Sequence, residues 1–325
     1  MSSKSVRGSV SFAVAAVLAG GVSLPAFAAE GAQEGPVLEE VVVTATKRAE
    51  RLQDVPIAIS AISSETLVTA GVQDFRDYAT LVPGLGQRDL GIPGSGTIIL
   101  RGMNTSAQQT SNTTAYYLHE APFSANGFLS VSGLLTPSPD LGDVERIEVL
   151  KGPQGTLYGA NSLGGLIRVI SKAPDLEEFS GSVRTELSSV SGGDLGWSAR
   201  GVVNVPIAND VAALRVSGGY RRAAGFMDNL RTGTEDANEF DVSGGRVALR
   251  VAPSERLTLD FVAFAQKIES VGGSGQEGAA RTLRPLVREY AYSTYADLES
   301  EIDYRLYSAT GDYDFGPVSW LTTVS

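Results

Sequence analysis

The chain has no cysteine and a single histidine, His119, in 325 residues. Without cysteine, a disulfide-stapled scaffold is excluded. The two scarcities together leave too few sulfur and nitrogen ligands for a zinc-type centre, and His119 has no second group with which to form a nucleophile–base pair. No enzyme motif occurs, so the sequence points to no catalytic residue, no resident metal and no cofactor. Positive charge is also in the minority. With 26 Lys and Arg against 37 Asp and Glu, the formal charge is −11, which argues against a nucleic-acid partner held through its phosphates. Beyond the first 28 residues no apolar run approaches the roughly 18 residues that a membrane helix needs. A place in a membrane would therefore require a β-barrel.

What is present begins with Lys4 and Arg7, an apolar run from Phe12 to Leu24, and the small residues Ala26 and Ala28. This is the pattern of a cleaved signal peptide over residues 1–28, which implies export. A polar leader then runs into "EEVVVTAT", Glu39 to Thr46. Its valines and threonines favour an extended strand. Two readings are open on the residues alone: a first strand buried in this chain's own sheet, or a strand lent to the sheet edge of a partner.

From residue 51 to 174 the pattern is mixed. "VPIAISAIS", "TIILRG", "AYYLHEAP", "VERIEVLKG" and "LIRVISK" read as strands, and "SETLVTAG" and "VQDFRDYATLVPG" as helices. The last two strands flank "GPQGTLYGANSLGG", Gly152 to Gly165, with five glycines. A phosphate-cradling loop is excluded there, because Lys151 precedes the glycines and a strand follows, where a Walker loop needs Gly-Lys-Ser/Thr opening a helix. "GIPGSG", Gly91 to Gly96, likewise has no helix after it.

After Pro174 the texture changes to period-two alternation. Val247, Leu249 and Val251 oppose Arg246 and Arg250, and Leu257, Leu259 and Phe261 oppose Thr258 and Asp260. Short connections alternate with long polar ones. Both features suit an antiparallel transmembrane β-barrel whose polar faces line a wet lumen. A secreted β-sandwich that binds surfaces would show the same alternation, but a dry sandwich core would not accept arginine and aspartate so freely. Residues 180 to 325 yield about seven strands, an odd number, so the expectation is the N-terminal portion of a larger barrel.

In this order, a signal peptide, "EEVVVTAT", a mixed domain with "LRG" and "VERIEVLKGPQGTLYGANSLGGLIRVISKAP", and alternating strands, the chain resembles the TonB-dependent outer-membrane receptors of Gram-negative bacteria. The resemblance implies an α+β plug domain inside a 22-stranded barrel and import of a scarce solute. A ferric siderophore is the foremost candidate, with haem, cobalamin or oligosaccharides as alternatives. TonB, with its inner-membrane energising complex, is the implied partner, alongside outer-membrane lipid. The implied organisation is a signal peptide over 1–28, TonB box and linker over 29–50, plug over 51–174 and barrel strands over 175–325. The implied TonB-binding residues are Glu40, Val41, Val42, Val43, Thr44, Ala45 and Thr46. Arg101 of "LRG" and Lys151 of "LKG" are implied to bind glutamates on the barrel wall, and Gln87, Arg88 and Asn104 are candidate substrate contacts on apical plug loops. One departure is "YYLHEAP", where the family often has "YLDGVP": His119 and Glu120 replace the Asp-Gly turn, so a wider or differently shaped connection is expected there.

Overall fold

A computed structural model describes residues 42–89, 91–104, 113–123, 139, 141–275, 284, 286–297 and 299–325. The expected signal peptide, and Glu40 and Val41 of the candidate coupling segment, lie outside the described residues. The N-terminal domain opens with a two-residue pair, β1 (Val42–Val43) against β2 (Glu50–Arg51). Then come β3 (Ile59–Ser63), α1 (Ser64–Thr69), α2 (Phe75–Ala79), β4 (Leu85–Asp89), β5 (Gly96–Leu100), β6 (Thr114–Leu118), β7 (Ala121–Pro122), β8 (Val144–Lys151), α3 (Gly155–Tyr158) and β9 (Gly165–Ser171).

Both longer helices start where side chains satisfy free backbone donors. Ser63 accepts from the Thr66 amide, and Asp74 and Asp77 form a reciprocal capping box. Strands β3, β8, β9, β6 and β7 pair in that order, with β6 parallel to β9 and the other pairs antiparallel. Every residue of β9 is buried, as expected of a strand covered on both faces. The core gathers Phe75, Tyr78, Leu100, Tyr116, Ile147 and Ile167.

Several local expectations are refined. The strand read in "VPIAISAIS" is confined to β3, and β4 was not anticipated; it pairs with β5 as a hairpin. "AYYLHEAP" folds back on itself, with Leu118 opposite Ala121. The wider connection expected there is not found. The turn is tight, and His119 takes the left-handed conformation, φ 55°, that a glycine would have taken at no cost. The glycine-rich segment holds the short α3, which ends at Gly159 with φ 68°. At Gly165, φ 137°, a Cβ would lie 2.1 Å from the Leu150 carbonyl oxygen. Glycine there lets β9 close onto β8.

From Ser180 the chain forms an antiparallel sheet of long strands. These are β10 (Ser180–Ser189), β11 (Leu195–Ala208), β12 (Ala212–Ala223), β14 (Phe240–Ser254), β15 (Leu257–Val271), β17 (Glu299–Asp314) and β18 (Ser319–Val324), paired in that order. Two further short strands, β13 (Asp228–Asn229) and β16 (Ala291–Tyr292), pair in parallel and knit the two long connections together at one end. Short turns join the strands at the other end. Alternation sorts the faces: Ser198, Asn204, Arg246 and Gln266 are buried against the N-terminal domain, while Val203, Val205, Val216, Val247 and Phe261 are exposed on the opposite face. An apolar outer face and a polar inner one are what a bilayer outside and a filled lumen inside require. Among the described residues the sheet is open, with β10 and β18 at its edges.

Candidate functional site: the N-terminal segment and the domain–sheet contacts

The segment from Val42 folds back onto β8 and β9 and is held there through its backbone. Val43 and Ala45 are fully buried, while Val42 is exposed. The Thr44 amide donates to Glu148 Oε1 at 2.9 Å, and Arg168 Nη1 donates to the Thr44 carbonyl at 2.7 Å. Tyr158 Oη donates to the Ala45 carbonyl at 2.8 Å. Arg168 and Glu148 face each other across β8 and β9 at 2.9 Å and are 1% and 0% exposed. Glu120 pairs with both Arg168 and Lys47, and the Lys47 ammonium sits 4.2 Å from the centre of the Tyr158 ring. Burial pushes the Tyr158 hydroxyl well above the usual tyrosine range, so it stays protonated as a donor.

Thus the described part of "EEVVVTAT" is not a strand buried along its length in this chain's own sheet. Among its described residues only Val42 and Val43 are strand, and the next two residues are gripped by side chains about a hundred positions away. Any partner that paired with this backbone would have to displace Arg168, Glu148 and Tyr158.

Arg101 and Lys151 lie side by side. A Cβ on Gly152 would sit 3.6 Å from Arg101 Nη1, and burial together with the Arg101 charge holds the Lys151 ammonium below its ordinary value. Among the described residues neither has a carboxylate partner. Arg101 has φ 53°, which turns the "LRG" corner.

Arg88 is exposed near the β4–β5 turn, Asn104 is exposed just beyond β5 at the opposite end of that hairpin, and Gln87 Nε2 donates to the Ser95 carbonyl at 3.1 Å within it. The Gly91 carbonyl in that turn accepts from the Ser274 amide at 2.7 Å. A gap of about 30 Å³ beside the hairpin is bordered by Asp74, Arg76, Asp89 and Arg221. The three candidate substrate residues do not converge on it as a set; Gln87 alone lines it.

The strongest domain–sheet contact was not foreseen from the sequence. Asp143, just before β8, accepts from Arg215 Nε at 2.9 Å and Nη2 at 2.6 Å, and from Arg246 Nη2 at 2.7 Å. A second contact runs from Gln73 to Glu186 at 3.0 Å and from Arg221 to Gln73 at 3.1 Å. The polarity of the first contact is opposite to the expected one: here the domain supplies the carboxylate and the sheet supplies the cations. The available signal was Asp143 opening the "DVERIEVLKG" motif, with Arg215 and Arg246 on the polar faces of otherwise apolar strands.

These features are matched by known proteins. Residues 51–166 match the family model described as the TonB-dependent Receptor Plug Domain. Residues 51–166 thus form a TonB-dependent receptor plug domain, and the chain is similar over most of its length to receptors of that kind. An iron-regulated outer membrane virulence protein of Vibrio cholerae is 30% identical over 259 residues, covering 75% of this chain and 36% of that protein. The vitamin B12 transporter BtuB of Vibrio vulnificus is 30% identical over 216 residues, covering 64% of this chain and 33% of its own length. The chain therefore spans about a third of the length of these relatives. In fold it is similar to the ferric yersiniabactin uptake receptor FyuA from Yersinia pestis, with TM-score 0.64 and 22% identity, over 80% of this chain and 39% of that one. The N-terminal domain is a plug, and the long antiparallel strands are the wall of an outer-membrane barrel that it abuts.

Proposed function

We propose that the protein is an energised importer: it captures a scarce solute at the cell surface and passes it to the periplasm when TonB, driven by its inner-membrane complex, draws on Glu40 to Thr46. The reading divides the chain into a signal peptide over 1–28, a coupling segment over 29–50, a plug over 51–174 and barrel wall from 175. It makes the protein a transporter and not an enzyme. The observation that carries it is the N-terminal segment itself. Its backbone from Thr44 to Ala45 is held by three hydrogen-bonding side chains, Glu148, Arg168 and Tyr158, and by no continuous sheet, so it can be exchanged for a partner's strand without dismantling the plug core. Arg101 and Lys151 are read as plug cations for wall carboxylates beyond the described strands, and Gln87, Arg88 and Asn104 as part of the outer approach.

A ferric siderophore is the proposed cargo, supported by the iron-regulated relative. The B12 transporter at the same identity favours cobalamin as the second reading. Uptake of radiolabelled iron supplied as a panel of chelates, measured beside labelled cobalamin in cells with and without the gene, separates them. Gene-dependent iron accumulation that is lost without TonB is the expected result, and gene-dependent cobalamin uptake alone would replace it with the second reading.

A further inference from the structure

The plug meets the wall most firmly at one corner, and everything at that corner belongs to the C-terminal side of the plug. Asp143 is bound by arginines from two adjacent wall strands, β12 and β14. Arg246 Nη2 also donates to the Lys172 carbonyl at 2.7 Å, and the Lys172 amide donates back to the Asp143 carbonyl at 3.0 Å. One arginine thus gathers the start of β8 and the end of β9. Three residues on, the Asp175 amide donates to Asn204 Oδ1 of β11 at 2.9 Å, and Asn204, fully buried, returns Nδ2 bonds to the Asp175 and Glu178 carbonyls. The covalent passage from plug to wall lies at the same place. Charge pairs sealed from water are far less screened than exposed ones, and a bidentate guanidinium–carboxylate pair resists shear in a way a single bond does not.

The N-terminal segment is attached quite differently. It is held by a two-residue ladder with β2, side-chain bonds to Thr44 and Ala45, the Lys47–Glu120 pair and the burial of Val43 and Ala45, with no bond to the wall among the described residues. A load applied at its end meets those bonds singly, whereas the Asp143 corner is backed by the chain's own covalent continuation into β10.

We propose that Asp143, with Arg215 and Arg246, is the fixed hinge of the plug, a positioning contact that stays closed on the wall throughout transport while the N-terminal segment is drawn away from β8 and β9. This rests on the importer reading above. The chain has no cysteine, so introduced thiols can be joined without background. Ser171→Cys with Ser217→Cys places one thiol on each side of the small gap beside Asp143. Thr44→Cys with Arg146→Cys spans the hydrogen bond that ties the N-terminal segment to β8. Each pair is made in the protein expressed in its outer membrane, closed with a short bis-thiosulfonate linker, and assayed for TonB-dependent uptake before and after reduction, with linkage verified by mass spectrometry.

The expected result is unchanged uptake with the corner linked and loss of uptake with Thr44 linked, restored by reductant. Loss of uptake with both pairs linked, each restored by reduction, would overturn the hinge and leave the importer reading standing. Unchanged uptake with both linked would also overturn the hinge, since transport would then proceed without the segment leaving β8, while the importer reading would stand on the uptake itself.

Discussion

At the scale of single residues, the plug places ionisable groups where water would ordinarily be required, and compensates each with a named partner. Glu148 and Arg168 are buried together, and removing either leaves the other with one remaining charged partner, Arg146 for Glu148 and Glu120 for Arg168, so the cost should fall below the ~3–5 kcal/mol typical of a buried pair broken outright. His119 is different. Among the described residues its Nε2 is sealed without a hydrogen-bond partner, and burial, with Arg246, Arg168 and Arg250 nearby and Asp143 opposing, pushes its pKa down to about 3. The imidazole is thus neutral in the folded protein and takes up a proton more readily when unfolded. Stability from this group is fully present above about pH 6.5 and falls as pH drops from there toward 3, at up to about 1.4 kcal/mol per pH unit. As His119 is the sole histidine, the effect has one source. His119→Asn keeps a residue that tolerates positive φ and cannot titrate. Thermal unfolding between pH 7 and pH 4 should show a shallower pH dependence in the variant; identical slopes would place the imidazole in contact with solvent.

At the scale of elements, β1 is too short to be a structural strand. Val42 is exposed and only Val43 of the pair is buried, and the residues that follow are held by side chains. If the segment lends its backbone to TonB, proline at Val42 removes an N–H and blocks a paired position, whereas threonine keeps a β-branched strand former. Val42→Pro is therefore expected to abolish uptake while receptor abundance and surface binding remain at wild-type levels, and Val42→Thr to transport nearly normally. Immunoblots of outer membranes, cell-surface binding and uptake are read on the same cells. Parallel loss of all three in Val42→Pro would return β1 to a purely structural role.

At the scale of the whole molecule, the wall is a sheet with two chemistries. Valines, Phe261 and Trp320 stand exposed on one side, and arginine, asparagine and glutamine are buried against the plug on the other. In water the first face would be an aggregation surface far larger than soluble monomers expose; in a bilayer it is the solvated face. The secreted β-sandwich alternative requires the reverse, an apolar face turned inward. On cell fractionation the protein should remain with outer membranes through high-salt and alkaline washes and be released only by detergent. Recovery in the soluble periplasmic or culture fraction would contradict the orientation of the sheet faces.

Much of this architecture was legible in the residue order because it depends on local periodicity. Alternation over ten to fifteen residues sorts a strand's faces whatever it packs against, capping residues such as Ser63 and Asp74 start helices within one turn, and glycines such as Gly165 mark where two strands must close together. The wall strands and the mixed N-terminal domain followed from such signals, while the weight given to the Asp143 to Pro174 stretch came from its resemblance to a known family. The tight His119 turn did not, because the residue there pays the left-handed backbone cost through surroundings that the local pattern does not display. Nor did the pairing of Asp143 with Arg215 and Arg246, 72 and 103 positions away, or the grip of Glu148 and Arg168 on Thr44, across 104 and 124. A lone charge in a sequence carries no address. Its partner is decided only when packing brings two distant segments to one buried point, where the cost of leaving either charge alone makes the pairing obligatory.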